Sequence, residues 1–241
     1  MFAVEVKNLT KKYKEKTAVD GISLQINEGE LFSLLGVNGA GKTTTVKVLC
    51  CLTEADSGEA TVMGMNCATE KDKVKAVIGI SPQETSVAEK LTVRENLLLI
   101  AEISGFDKAK CNARVEETIS QLGLAEVADQ RAKTLSGGWK RKLSIAMALI
   151  SEPKVLFLDE PTLGLDVLAR RELWRAIEGL KGKITIILTT HYMEEAEKLS
   201  DRIAVMVSGK IRALGSLAEL EAMTGQKGLE DSFVAIAEGS V

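Results

Sequence analysis

The sequence predicts an α/β fold in which a mostly parallel sheet carries an N-terminal antiparallel β layer and an inserted helical subdomain. Three observations predict it. Apolar runs of strand length recur at residues 31–35, 77–80, 155–158 and 184–188, separated by longer stretches of helical periodicity. Near-continuous apolar runs are what strands need when helices cover both faces of a sheet. Ahead of them, residues 2–6 and 21–26 alternate apolar and polar side chains, the pattern of a half-exposed antiparallel sheet. From about 84 to 150 the strand signal disappears and the periodicity turns helical.

Segment 43–52 follows the first apolar run and its glycine-rich loop, and contains no helix breaker. Helices are expected over 91–104, 108–122 and 137–150. Thr92 and Glu95 form a capping box that starts the first of these, and Gly105 ends it. Ser136 suits the N-cap of the third. Ser208-Gly209 between 202–207 and 210–214 marks a hairpin, and Ser216 with Glu219 caps a last short helix. Residues 1–83 and 151–241 are thereby assigned to the core with its β layer, and 84–150 to the helical subdomain.

The 241 residues, 45% of them hydrophobic, suffice for a sizeable core. Lys and Arg number 31 against 34 Asp and Glu, a near balance that offers no electrostatic footprint for nucleic acid or an anionic membrane surface. Cys50, Cys51, Cys67 and Cys111 lack CxxC spacing and meet a single histidine in the chain, so they read as reduced core thiols rather than a zinc site. Charges interrupt the N-terminal stretch, which argues against a signal peptide. No run of about 18 apolar residues occurs, so a membrane role calls for another chain.

Gly36-Val37-Asn38-Gly39-Ala40-Gly41-Lys42-Thr43 matches G-x-x-x-x-G-K-[ST], in the strand, loop and helix setting that motif requires. Its chemistry follows from geometry. Glycines let successive backbone N–H groups turn inward around a phosphate, and the helix N-terminus adds partial positive charge. Lys42 neutralises the β and γ phosphates, and Thr43 offers its hydroxyl to Mg²⁺. A glycine-rich turn that merely caps a helix is the plain alternative, and the setting weighs against it.

Asp159 and Glu160 close the run 155–158. Neighbours on a strand point to opposite faces, so the two cannot share one task. Asp159 is assigned to the Mg²⁺ side, and Glu160 to orienting and deprotonating the attacking water. His191 and Gln83 also fall just past apolar runs; alone, each means little, and a single histidine is more often a core or surface residue. In open α/β sheets, however, ligands bind outside the carboxyl ends of the strands, so four polar positions past four strands are expected to converge. Ser136, Gly137 and Gly138 at a helix N-terminus form either a second anion site or a cap and a flexible turn. Two phosphate sites with one lysine-bearing loop invite a dimer.

In combination and order, these motifs resemble those of the ATP-binding-cassette (ABC) ATPases, from about Val4 to Ala237. Segment 36–44 is similar to the Walker A loop, Gln83 to the Q-loop, 135–138 to the signature and 155–160 to the Walker B strand. Gly164-Leu165-Asp166 is similar to the D-loop and His191 to the switch histidine, while Tyr13 matches the aromatic that stacks on adenine. The resemblance implies a P-loop NTPase core forming a single cassette. It implies that Tyr13, Gly36, Asn38, Gly39, Ala40, Gly41, Lys42, Thr43, Thr44 and Gln83 hold ATP. Thr43, Gln83 and Asp159 would face Mg²⁺, and Glu160, His191 and Lys42 would be catalytic.

The resemblance further implies head-to-tail pairing, as homodimer or heterodimer, with Ser136, Gly137 and Gly138 of one cassette meeting ATP held by the other. Separate membrane-spanning subunits are implied as partners, holding the chain at the cytoplasmic face of a membrane. Leu229-Glu230-Asp231-Ser232-Phe233 resembles the tail of the exporter branch whose membrane subunits are of the ABC-2 type. Two positions depart from the family pattern. Trp139 stands where Gln, or in this branch sometimes Met, is usual, and Val167 follows Asp166 where Pro is common; Trp139 bears on affinity and coupling more than on the reaction.

Three functions compete: a transporter motor, a soluble cassette acting on nucleic acid or ribosomes, and a scaffold that binds nucleotide without hydrolysing it. The second would be expected to carry tandem cassettes or a long coiled-coil insertion, and the third to have lost Glu160 or His191. The absence of an N-K-x-D motif disfavours a guanine-nucleotide switch. The expectation is therefore an ATP-hydrolysing motor with no nucleic-acid partner.

Overall fold

The computed structural model describes residues 1–239. Strands β1 (Phe2–Tyr13), β2 (Lys16–Asn27), β4 (Ser57–Val62) and β5 (Met65–Asn66) build an antiparallel sheet in the order β2-β1-β4-β5. The second sheet comprises β3 (Leu31–Leu35), β6 (Ile78–Ser81), β7 (Val155–Asp159), β8 (Thr185–Thr190), β9 (Arg202–Val207) and β10 (Lys210–Gly215), ordered β10-β9-β3-β8-β7-β6. All its pairings are parallel except that of β10 with β9. This is the α/β core with an antiparallel layer that the apolar runs predict.

Every residue of β3, β7 and β8 is buried, and the period of two divides them between two cores. Phe32, Leu34, Phe157 and Ile187 pack with Val4, Ile26 and Val62 of the β layer and with Val46 and Leu49 of α1 (Lys42–Leu49). Leu31, Leu156, Leu158, Ile186 and Leu188 face the opposite way. They pack with Val93 and Leu97 of α3 (Val93–Ile103), Leu143 of α5 (Gly137–Leu149) and Leu173 of α6 (Val167–Glu178). Helices α2 (Lys71–Lys75), α4 (Lys108–Gln121), α7 (Met193–Leu199), α8 (Leu217–Thr224) and α9 (Leu229–Glu238) complete the fold.

Local signals act where the sequence puts them. Thr92 Oγ1 accepts from Glu95 N at 3.1 Å while Glu95 Oε2 accepts from Thr92 N at 2.7 Å, and Gly105 follows α3 with φ +81°. Two expectations need correction. The helix capped by Ser216 is not the last, because α9 follows it after Gly225 and Gly228 and buries Leu229, Phe233 and Ile236. The β layer is also larger than its alternating segments: β1 and β2 each run for 12 residues, and β4 and β5 join them. Register shifts between Val6 and Lys12 break the alternation there. Among the described residues, no helix is long and apolar enough to cross a membrane.

Candidate functional site

Parallel register brings four strand ends into one row. Leu35 stands beside Thr190, Thr189 beside Asp159, and Leu158 beside Ser81. The segments leaving β3, β8, β7 and β6 therefore emerge side by side at the sheet's carboxyl edge, where open α/β sheets bind ligands. The glycine-rich loop starts at Gly36, whose N–H donates to Thr190 O at 3.2 Å. Gly36 lies so close to β9 that a Cβ there would sit 2.4 Å from Met206 O. Gly41 caps α1 with φ +109°, a conformation that favours glycine.

A cleft of about 390 Å³ opens over this loop. Tyr13, Asn38, Gly39, Ala40, Gly41, Lys42, Thr43, Thr44, Gln83 and Glu160 line it, with Lys16 and Ala18, which no motif singled out. Tyr13 is 45% exposed at the end of β1, so its ring is available rather than buried in a core.

The charged groups meet below the cleft. Lys42 is only 4% exposed; its Nζ donates to Gly36 O at 2.7 Å and Val37 O at 3.3 Å, and stands 3.4 Å from Glu160 Oε1. Thr43 Oγ1 donates to Asp159 Oδ1 at 3.1 Å, and the Thr189 hydroxyl donates to the same oxygen. Asp159 thus turns toward Thr43 and Thr189, while Glu160 turns toward Lys42 and His191. His191 Nδ1 lies 3.3 Å from Glu160 Oε1 but without hydrogen-bond alignment, and among the described residues it has no hydrogen-bond partner.

Glu160 is fixed by its backbone. Its N–H donates to Thr189 O at 3.0 Å and to Thr189 Oγ1 at 3.1 Å, and its φ is +47°. A left-handed conformation costs a non-glycine residue about 1–2 kcal/mol and persists where the surroundings over-determine it.

Thr43 and Asp159 present hard oxygen donors in contact, which fits Mg²⁺, an ion that takes one or two protein ligands and completes its shell with phosphate and water oxygens. Among the described residues, no group of three or more His, Cys, Asp or Glu side chains forms a dedicated ion cage.

Two further features frame the cleft. The guanidinium of Arg141, buried on α5, donates to the carbonyls of Pro82, at 2.6 Å, and Gln83. Desolvation lowers its pKa, opposed by the charges of Asp159 and Glu195. Sequence reasoning missed Arg141, because its partners are backbone atoms nearly sixty residues away and carry no side-chain signal. Ser136, Gly137 and Gly138 do not line this cleft. Ser136 Oγ accepts from Trp139 N at 3.4 Å, and a Cβ at Gly138 would stand 3.1 Å from Ala169 Cβ, so this helix end lies against α6. The Trp139 ring packs on the core with the Lys142 ammonium 4.6 Å from its centroid, and Lys142 pairs with Glu172 at 3.0 Å.

The glycine-rich loop between β3 and α1, at the carboxyl ends of the strands of this sheet, defines a P-loop nucleotide hydrolase. The chain belongs to the ABC transporter family, whose family model matches residues 19–163. It is 40% identical over 224 residues to the daunorubicin/doxorubicin resistance ATP-binding protein DrrA of Streptomyces peucetius, covering 92% of this chain and 68% of that one. It is also 40% identical over 217 residues to the human phospholipid-transporting ATPase ABCA3, where 88% of this chain spans 13% of the relative.

An ATP-binding subunit of an ABC transporter superposes with a TM-score of 0.86 at 29% identity, over 97% of this chain and 99% of that one. A dimeric ATP-binding cassette, MJ0796, in a post-hydrolysis state bound to ADP and Pi, superposes with a TM-score of 0.79 at 26% identity, over 89% and 98%. The chain is thus the ATP-binding subunit of an ABC transporter and an ATPase.

Proposed function

We propose that this chain is the Mg-ATP-driven motor of an exporter whose membrane-spanning subunits are separate chains of the ABC-2 type. One observation carries the hydrolytic part: at the foot of the phosphate loop, the Glu160 carboxylate lies within 3.4 Å of both Lys42 Nζ and His191 Nδ1. Identity to a protein named for daunorubicin and doxorubicin resistance supports export.

In this reading Tyr13 stacks on adenine, and the segment from Gly36 through Asn38, Gly39, Ala40 and Gly41 to Thr44 wraps the phosphates. Lys42 turns from the Gly36 and Val37 carbonyls to phosphate oxygens. Thr43 and Asp159, joined by Gln83, would hold Mg²⁺, which would supply positive charge to the phosphates. Glu160 takes the proton of the attacking water, and His191 orients that water and the γ-phosphate.

The helical subdomain, 84–150, presents Ser136, Gly137 and Gly138 to ATP held by a second cassette, identical or related. That they do not line the chain's own cleft supports that reading, as do the exposed apolar side chains of Leu163, Val167 and Leu168 beside the 164–166 loop. Membrane subunits would hold the assembly at the cytoplasmic face.

Glu160→Gln tests the motor: it keeps size and polarity but cannot take up a proton. Hydrolysis should fall by roughly 10²–10⁴-fold while Mg-ATP still binds and accumulates a dimer in sedimentation. Turnover at the wild-type rate would remove Glu160 from the reaction. Copurification of the native complex tests the partner, and recovery of a soluble partner alone would count against an exporter.

A further inference from the structure

Two lysines line the cleft, and their settings differ. Lys42 is buried beneath the loop, held by the Gly36 and Val37 carbonyls and facing Glu160. Lys16, the first residue of β2, is exposed, and its Nζ stands 3.8 Å from the point a Cβ on Gly39 would occupy. Among the described residues no carboxylate pairs with Lys16, whereas nearby Lys11 is paired with Asp56 at 3.2 Å and Lys210 with Asp20 at 3.2 Å.

The place of Lys16 is built into the fold. Tyr13 and Lys16 are direct partners across the β1–β2 hairpin, and directly opposed residues of an antiparallel pair carry their side chains on one face. Ala18 shares that face by the period of two, and all three residues line the cleft. Strand β2 is in turn fixed to the phosphate loop. A Cβ on Gly41 would lie 2.4 Å from Ala18 O. Gly209, between β9 and β10, accepts from Asp20 N at 2.9 Å and donates to Ala40 O at 3.0 Å. The wall that carries Tyr13 and Lys16 cannot swing away from the loop without breaking these contacts.

An ammonium beside a loop whose N–H groups cradle a phosphate meets charge of its own sign, and an anion between the two turns this into attraction. Order along the cleft says which anion. With the base on Tyr13 and the β and γ phosphates at Lys42, the phosphate next to the ribose passes Gly39. The geometry points to Lys16 as a second nucleotide-binding cation, which takes the α-phosphate of ATP and ADP alike. The inference rests on the reading of this cleft as the ATP site with Tyr13 on the base.

Calorimetric titration of the full chain with ATP and with ADP, without Mg²⁺ so that ATP is not turned over, tests it. At about 0.05 M KCl, Lys16→Ala should raise both Kd values about threefold or more, by factors that agree within about twofold. At about 1 M KCl, where charges are screened within a few ångströms, the difference from wild type should shrink to within about 1.5-fold. Lys16→Arg keeps the charge and should bind both nucleotides within about twofold of wild type at either salt. Wild-type affinity in Lys16→Ala at low salt overturns the inference. So does a loss undiminished at high salt, which would be lost packing, or a loss for ATP alone, which would put Lys16 at the γ-phosphate. An equal loss in Lys16→Arg and Lys16→Ala also overturns it. Lys42→Ala, run alongside, separates the two levels: wild-type ATP and ADP binding there would overturn the reading of the cleft whatever Lys16 does.

Discussion

Lys42 Nζ and Glu160 Oε1 stand 3.4 Å apart and join the phosphate loop leaving β3 to the turn leaving β7, with β8 between the two strands. Both side chains are buried, so each is the other's compensation until phosphate oxygens compete for the ammonium.

Lys42→Ala removes the cation that both Glu160 and the phosphates need. ATP hydrolysis should fall to background and ATP binding should weaken strongly, as a phosphate assay and nucleotide titration would measure. Unchanged steady-state hydrolysis would detach the loop from the reaction.

Tyr13 presents an exposed ring at the rim of the cleft. Tyr13→Ala should weaken ATP binding by about 1–3 kcal/mol, the stacking scale, whereas Tyr13→Phe should bind nearly as wild type. Equal affinities for wild type and Tyr13→Ala in calorimetry would leave Tyr13 without a ligand role.

Arg141 ties the Pro82 and Gln83 carbonyls to α5. Arg141→Ala should cost about 1.5–3 kcal/mol, the scale of hydrogen bonds to a charged group, and should speed amide exchange in residues 83–88. Exchange there at the wild-type rate would show that the guanidinium does not hold the segment.

Burial raises the Glu195 carboxyl above its ordinary value, opposed by the hydroxyls of Thr190 and Thr162, the Trp174 indole and the Arg170 charge. The folded chain therefore keeps a proton that the unfolded chain has released. The associated stability is fully present below the unfolded carboxyl's range and is lost as pH rises through the folded value. Glu195→Gln cannot titrate, so wild type should lose melting temperature relative to this variant as pH rises from acidic toward neutral. A difference independent of pH would show an unshifted carboxyl.

The sequence is most informative where chemistry is local. The residues from Gly36 to Thr44 act as a contiguous loop, and Asp159-Glu160 and His191 fall at the ends of runs whose burial is itself visible as hydrophobicity. The β layer is harder to read. In β4, Ser57, Gly58 and Glu59 are exposed and give no apolar alternation; what holds them is β1, which approaches so closely that a Cβ on Gly58 would lie 2.3 Å from Asn8 O. Helix α9 hides behind two glycines that resemble a chain end, although its i, i+4, i+7 face of Leu229, Phe233 and Ile236 is regular. Lys16, Arg141 and Glu195 owe their places near the site to tertiary contacts alone, which no spacing in the chain encodes.

The left-handed backbone of Glu160 sets backbone ease against side-chain electrostatics at one position. Asparagine or glycine would sit there at ease, relaxing the turn after β7 by about 1 kcal/mol, and either would remove the carboxylate that faces Lys42 and His191. Either would also strip the buried Lys42 ammonium of its counter-charge, so the ease gained in the backbone is set against the loss of that pair.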